Sequence, residues 1–168
     1  GTTVPANPDY LMSIEEVQEK LNNNSNFRLV SIRSKEEFEG KTSGYTYIDR
    51  AGEPKGAVWG HAGKDAYSMD DYLHEDGTVI TAKEMQELWS DSDLTKDNEL
   101  SFYCGTGWRA TVPWLIAYDA GWEEMTVFDG GWNEWQMNAD LPVQVGDPNR
   151  DDCEYTTVDK LPTDKAAK

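Results

Sequence analysis

One stretch of the chain decides the fold: LSFYCGTGWRATVPWLIAYDAG, residues 100–121. It opens with an apolar run at 100–103, which is typical of a buried strand. Cys104 follows at once in a loop that contains two glycines, and residues 110–120 then predict a helix that ends at the next glycine. Pro113 falls in the first turn of that helix, where a missing N–H costs little. The stretch therefore predicts a strand, a short loop and a helix.

Three further helices are predicted by capping boxes, in which Ser or Thr is followed three residues later by Glu. The boxes are Ser13 with Glu16, Ser34 with Glu37, and Thr81 with Glu84. Apolar runs between the helices predict further strands at 27–32, 56–59 and 126–128. Because strands alternate with helices along the chain, we expect a mainly parallel α/β sheet with helices on both faces.

The length allows one domain with extensions. The chain has 168 residues, 38% of them hydrophobic, which suits a single core that buries roughly 70% of the unfolded surface. Residues 1–10 hold two prolines and no periodicity, which indicates an N-terminal arm or linker. The predicted domain covers 11–139. Residues 140–168, with three prolines and many charges, predict a C-terminal extension that lies on the surface or is flexible.

The chain is strongly acidic, with 32 acidic and 15 basic residues and a formal net charge of −17. This charge argues against a nucleic-acid backbone or an anionic membrane as a partner. A small anion would also be repelled at long range, so its binding needs a local positive site, for which Arg109 and backbone N–H groups are candidates. No apolar run approaches the roughly 18 residues of a membrane span. We expect a soluble protein, and both cytoplasmic and extracytoplasmic compartments stay open.

The two cysteines, Cys104 and Cys153, are too few for a disulfide framework, which favours a free reactive thiol. Cys104 lies beyond the carboxyl end of a strand and before a helix, where parallel sheets bind their ligands. The helix dipole and the guanidinium of Arg109 both favour a thiolate, the nucleophilic form of cysteine. The alternative is that Cys104 is a small buried apolar residue and Arg109 an ordinary solvated side chain.

Two chemistries suit a thiolate in such a loop: attack on phosphorus and attack on sulfur. Cysteine-dependent phosphatases place five residues between the cysteine and the arginine, whereas four residues separate Cys104 from Arg109. The two loop glycines let the backbone curl closely around one sulfur atom. The shorter loop leaves less room for a tetrahedral phosphate, so the spacing favours sulfur.

Four separated segments carry a family pattern. They are LVSIRSKEEF at 29–38, PKGAV at 54–58, YCGTGWRA at 103–110 and GWEEMTVFDGGWNEW at 121–135. In this order they resemble the rhodanese homology domain over about residues 12–135. The resemblance implies a doubly wound, mainly parallel sheet of about five strands with helices on both faces.

The resemblance also implies a thiosulfate sulfurtransferase that needs no metal or organic cofactor. The Cys104 thiolate would take the sulfane sulfur of a small anionic donor such as thiosulfate and hold it as a persulfide, from which cyanide or a thiol accepts it. The loop residues implied to bind the substrate are Gly105, Thr106, Gly107, Trp108 and Arg109. Two alternatives stay open: 3-mercaptopyruvate as the donor, and a non-catalytic module that binds a partner or carries sulfur.

The chain departs from the family pattern at two positions. The first strand usually ends in Asp-x-Arg, but Ser31 stands at the aspartate position, so Arg33 needs another partner. Two-domain members carry a substrate-holding arginine where this chain has Glu37, which weakens the case for simple thiosulfate binding. The insertion at 41–53, which includes Arg50, is similar to one in bacterial two-domain sulfurtransferases. It implies that this chain is the catalytic C-terminal half of such a protein, with a partner rhodanese domain. Arg33 and Arg50 are secondary site candidates.

The remaining candidates carry weaker signals. His61 and His74 have no Cys or carboxylate at metal-site spacing, so no metal site is predicted. Nothing in the sequence places Cys153 near the loop. Trp108 could shape the rim of the pocket or stack on Arg109.

Overall fold

The computed structural model describes residues 8–168. Within that range the α-helices are α1 (Ile14–Asn23), α2 (Lys35–Phe38), α3 (Ala82–Leu88), α4 (Thr111–Asp119) and α5 (Gly131–Trp135). The strands are β1 (Phe27–Ser31), β2 (Glu53–Pro54), β3 (Val58–Trp59), β4 (Glu99–Tyr103), β5 (Met125–Val127), β6 (Pro142–Val145) and β7 (Glu154–Thr157). None of the described helices is long and apolar enough to cross a bilayer.

The central sheet is parallel and has the strand order β3-β1-β4-β5. At the β5 edge, Leu11 forms a parallel bridge to Val127, and the Met12 N–H donates to the Val127 carbonyl at 2.9 Å. The predicted α/β fold is confirmed. The described sheet has four strands and this single bridge, where about five strands were expected.

Each face of the sheet is covered by helices. Leu29 of β1 points into a cluster with Val17 of α1 and Trp132 of α5. The next residue, Val30, belongs to the opposite cluster, which includes Met85 of α3 and residues of α4. Because successive strand residues point to opposite faces, one strand supplies both cores. The prediction of helices on both faces is confirmed.

The local signals in the sequence place the helices correctly. All three capping boxes form at the N-termini of α1, α2 and α3, each with the Glu side chain accepting from the backbone of the capping residue. Helix α4 begins at Thr111, directly after the loop of residues 104–110, which we call the cysteine loop. Gly121 follows the end of α4 with φ +78°. The left-handed backbone at Gly121 is the usual glycine stop signal.

Residues 140–168 fold onto the domain instead of extending from it. Strand β6 pairs antiparallel with both β2 and β7, which makes a second, three-stranded sheet. Val143, Val158 and Leu161 are buried in the same cluster as the α1 and α5 side chains. Near the chain end, the Ala167 N–H donates to the Tyr45 carbonyl at 3.0 Å. The tail therefore covers part of the core, which its many charges did not indicate.

Candidate active site

The cysteine lies where the sequence placed it, at the carboxyl end of β4 and in the loop before α4. Its side chain is fully buried. The Gly107 N–H donates to Cys104 Sγ at 3.1 Å. A backbone donor directed at sulfur stabilises negative charge on that atom, so the loop provides one element of an anion-binding cradle.

The start of α5 closes the loop from the other side. The Trp132 N–H donates to the Cys104 carbonyl at 2.9 Å, and the Asn133 N–H donates to the Gly105 carbonyl at 3.0 Å. These contacts require glycine at position 131, which has φ +58° and where a Cβ would overlap the Cys104 carbonyl and lie 2.9 Å from the Gly105 carbonyl oxygen. Gly131 is therefore part of the cysteine loop's support.

Arg109 is buried, and its guanidinium faces acidic and phenolic groups instead of solvent. Its Nη1 and Nη2 donate to the two carboxylate oxygens of Glu37, each at 2.9 Å. Nη2 also donates to the Tyr45 hydroxyl at 3.0 Å. The pKa of Arg109 lies above its ordinary value, because the hydrogen bonds and charge of Glu37 outweigh the opposing effect of burial. Contact between Arg109 and a substrate stays a prediction.

Glu37 joins two buried guanidiniums. Besides its bidentate pair with Arg109, its Oε1 accepts from Arg33 Nε at 3.2 Å, and its Oε2 accepts from the Ser34 N–H at 3.0 Å. Burial raises the pKa of Glu37, but the charge of Arg33 and the hydrogen bonds from Arg109 outweigh it and hold the pKa at about 2. The glutamate that replaces a substrate-holding arginine is thus an internal ion-pair partner.

Arg33 pairs with Glu53 of β2, since Ser31 has no carboxylate to offer. Glu53 Oε1 accepts from Arg33 Nη1 at 2.8 Å and from Ser31 Oγ at 3.3 Å. The Tyr103 hydroxyl donates to the other oxygen of Glu53. Burial raises the pKa of Glu53 to about 7, although Arg33 and Tyr103 act in the opposite direction. Near neutral pH the buried cluster of Arg33, Glu37, Glu53 and Arg109 therefore carries a net charge between zero and +1.

Two members of this arrangement, Glu53 and Tyr45, were not predicted as site residues from the sequence. A signal for Glu53 was present, because the serine at position 31 left Arg33 without its usual carboxylate and Glu53 directly precedes the PKGAV segment. Tyr45 lies in the insertion at 41–53, which has no periodic pattern to place it. In the structure a Cβ added to Gly105 would overlap the Tyr45 ring.

Two loop residues lie at the surface. Thr106 and Trp108 are exposed, and Trp108 lies beside an apolar depression of about 400 Å³ that Tyr10, Leu11 and Trp114 also line. These two exposed residues form the rim of the cysteine loop.

The other candidates lie outside the cysteine loop. Arg50 is half-buried, lines a separate depression and has a buried Nε with no hydrogen-bond partner among the described residues. Cys153 lies just before β7, half-buried. His61 contacts Asp91, and His74 contacts Glu84. Within residues 8–168, no group of three His, Cys, Asp or Glu side chains could hold a metal ion.

The sequence matches a known family and known relatives. The family model described as Rhodanese-like domain matches residues 13–138. The thiosulfate sulfurtransferase YnjE of Escherichia coli (strain K12) is 41% identical over 151 residues, which are 90% of this chain and 34% of YnjE. A putative thiosulfate sulfurtransferase of Haloferax volcanii is 29% identical over 119 residues, 70% of this chain and 41% of that protein.

Solved structures match at the level of the whole fold. The crystal structure of YnjE is 39% identical with a TM-score of 0.81, and the match covers 95% of this chain and 36% of that one. An anaerobic ergothioneine biosynthesis enzyme from Chlorobium limicola, solved with its natural substrate trimethyl histidine, is 38% identical with a TM-score of 0.81 over 88% of this chain and 35% of that one. The chain spans about a third of the length of YnjE and of that enzyme.

Proposed function

The chain belongs to the rhodanese-like domain family, and we propose that it is a sulfurtransferase that moves sulfane sulfur through a persulfide on Cys104. The Cys104 thiolate attacks the outer sulfur of a donor, for which thiosulfate is the leading candidate. A bond forms between Sγ and that sulfur, and the sulfite leaves with the electron pair of the broken sulfur–sulfur bond. An acceptor, cyanide or a thiolate, then attacks the outer sulfur, and the electron pair returns to Sγ.

The observation that carries the proposal is the hydrogen bond from the Gly107 N–H to Cys104 Sγ, in a loop that both β4 and α5 hold. The nucleophilic sulfur needs an environment that favours an anion both before and after transfer. A backbone donor that is fixed in advance supplies part of that environment without reorganising during the reaction. A merely buried, apolar cysteine would not need a backbone donor directed at its sulfur.

The chain's net charge of −17 repels an anionic donor at long range. The buried cluster of Arg33, Glu37, Glu53 and Arg109 offsets this repulsion locally. Arg33 and Arg109 outweigh the charge of Glu37 and a partly protonated Glu53, so this part of the interior is neutral or positive near pH 7. Arg109 supports the loop electrostatically through this cluster instead of as a free surface cation. Because Cys104 is fully buried, part of the structure around it must move when a donor enters.

The names of the relatives agree with this activity and leave the donor open. Besides YnjE, a protein of Arabidopsis thaliana called thiosulfate/3-mercaptopyruvate sulfurtransferase 2 is 26% identical over 138 residues. A protein of Thermus thermophilus called sulfur carrier protein TtuD is 26% identical over 121 residues. We keep 3-mercaptopyruvate as the alternative donor and sulfur carriage as the alternative role. Since the matches cover only 34% to 41% of these relatives, we also propose a partner rhodanese domain in the full-length protein.

Steady-state turnover tests the activity. Wild-type protein and a Cys104→Ser variant are incubated with cyanide and either thiosulfate or 3-mercaptopyruvate, and thiocyanate is measured. We expect thiocyanate from wild type with thiosulfate and none above background from the variant. Faster turnover with 3-mercaptopyruvate would reassign the donor. No turnover with either donor, together with sulfur uptake from a persulfidated protein, would favour the carrier.

A further inference from the structure

We propose that Glu53 is a positioning residue that holds both ends of the cysteine loop in place for sulfur transfer. The proposal rests on the proposed function, since it concerns the formation of the same persulfide. Glu53 lies on β2, in a different sheet from the strand that precedes Cys104. It acts on the loop through the side chains that it contacts.

The first contact fixes the residue before the nucleophile. The Tyr103 hydroxyl donates to Glu53 Oε2, and the Tyr103 carbonyl accepts from the Ile32 N–H at 2.7 Å. Burial and the charge of Glu53 raise the pKa of Tyr103 well above its ordinary value, so the hydroxyl stays a donor. Both the side chain and the backbone of the residue that precedes Cys104 are therefore held in place.

The second connection runs to the other end of the loop, at Arg109. Arg33 Nη1 donates to Glu53 Oε1 at 2.8 Å, and Arg33 Nε donates to Glu37 Oε1 at 3.2 Å. Glu37 in turn holds Arg109 by two hydrogen bonds of 2.9 Å. All four charged side chains are fully buried, so solvent screens their charges little.

The distances show how the two carboxylates are shared between the two guanidiniums. Arg33 lies closer to Glu53 than to Glu37, at 2.8 Å against 3.2 Å. An ionised Glu53 therefore leaves Glu37 mainly to Arg109. When Glu53 is neutral, Arg33 and Arg109 have one carboxylate between them and compete for Glu37. The hold on the loop at Arg109 then weakens.

The charge of Glu53 changes near neutral pH. Burial raises its pKa to about 7, although Arg33 and Tyr103 act in the opposite direction. The charged or titratable groups that face it come from the end of β1, from α2 and from β4: Arg33, Glu37 and Tyr103. The neighbours on β6 and α5, Gln144 and Trp132, carry no charge. We therefore expect the hold on the loop to strengthen as pH rises through about 7.

The test is the rate of sulfur loading at two pH values. Protein is mixed with thiosulfate and quenched at set times, and intact mass gives the rate constant for the gain of one sulfur. Glu53→Gln keeps the size of the side chain and is neutral at every pH. We expect the ratio of wild-type to Glu53→Gln rate constants to rise from near one at about pH 5.5 to about ten at about pH 8.5, because misplacing a reacting group by about 1 Å costs up to about a hundredfold. The titration of Cys104 itself affects both proteins and cancels in the ratio.

The sign of the change separates positioning from charge. By charge alone, Glu53→Gln makes the cluster more positive and speeds the reaction with an anionic donor, so the ratio would fall below one. A ratio below one at about pH 8.5, or a ratio that is the same at both pH values, would overturn the proposal. Glu99→Gln is the matched control, because Glu99 pairs with Lys20 at 2.8 Å at the opposite end of β4. We expect its rate constants to equal those of wild type at both pH values.

Tyr103→Phe tests the first contact separately. It keeps the ring and removes the hydroxyl, so we expect loading at about pH 8.5 to slow by about tenfold; a wild-type rate would overturn this contact's role. Circular dichroism at both pH values checks that every variant is folded. A wild-type protein that gains no sulfur contradicts the proposed function and this proposal together. A wild-type protein that loads sulfur, with Glu53→Gln equal to it at both pH values, overturns the role of Glu53 alone.

Discussion

Replacing Gly131 with alanine tests how α5 supports the cysteine loop. At this position φ is +58°, and an added Cβ would overlap the Cys104 carbonyl. The backbone of the cysteine loop and the start of α5 must therefore move apart. The hydrogen bonds from the Trp132 N–H to Cys104 and from the Asn133 N–H to Gly105 would then break or lengthen.

The expected magnitude follows from two contributions. A left-handed backbone costs a non-glycine residue about 1 kcal/mol or somewhat more. Loss of two backbone hydrogen bonds costs about 1 kcal/mol each. We therefore expect Gly131→Ala to lower the free energy of unfolding by about 3 kcal/mol. Because the shift moves the Cys104 backbone and lengthens the hydrogen bond to its sulfur, we expect persulfide formation to fall by about tenfold or more, since a hydrogen bond to a charged group is worth about 1.5–3 kcal/mol.

Gly121→Ala is the matched control. Gly121 has φ +78°, and a Cβ there meets no atom within 4 Å, so the variant has the backbone cost without the overlap. We expect it to lose about 1 kcal/mol and to load sulfur as wild type does. Urea unfolding and intact mass after incubation with thiosulfate measure the two properties. Equal stability and equal loading in the two variants would refute the role assigned to α5.

Four further predictions concern the buried charges and the second cysteine. Glu37→Gln leaves Arg33 and Arg109 without their shared carboxylate, so urea unfolding should show a loss of about 3–5 kcal/mol; a loss below 1 kcal/mol would contradict the pairing. Burial raises the pKa of Glu53 from an ordinary 4.5 to about 7, so the folded state retains a proton that the unfolded chain releases, and stability should fall by roughly 3 kcal/mol or less as pH rises from 4.5 to 7. The pKa of Glu37 is lowered to about 2, so its contribution is present above pH 4.5 and should be lost as pH falls below that value. Glu53→Gln should remove the fall between pH 4.5 and 7 in thermal unfolding, and an unchanged slope would contradict the assignment. Cys153 lies outside the cysteine loop, so Cys153→Ser should load sulfur as wild type does when measured by intact mass.

The sequence predicted those parts of the fold that local signals determine. Three capping boxes, an apolar run and a glycine stop located α1 to α4, β1 and β4, because each signal acts over a few residues. Signals of the same local kind also predicted Cys104 at the end of β4. The second sheet was not predicted, because β6 depends on pairing with the two-residue strand β2, about ninety residues earlier.

The candidate site was predicted only in part, for a similar reason. Cys104 and its loop are contiguous in sequence, so their spacing could be read directly. The partners of Arg109 are Glu37 and Tyr45, 72 and 64 residues away, and only tertiary packing brings them together. Sequence reasoning treated Arg109 as a free cation because a charged residue gives no sign of its partner until the fold is known.

The most direct test of the central claim is the location of the transferred sulfur. Wild-type protein is treated with thiosulfate labelled in its outer sulfur, thiols are blocked, and the protein is digested and analysed by mass spectrometry. We expect one labelled sulfur on the peptide that contains Cys104 and none on the peptide that contains Cys153. Label on Cys153 with none on Cys104, or no label on either cysteine, would contradict it.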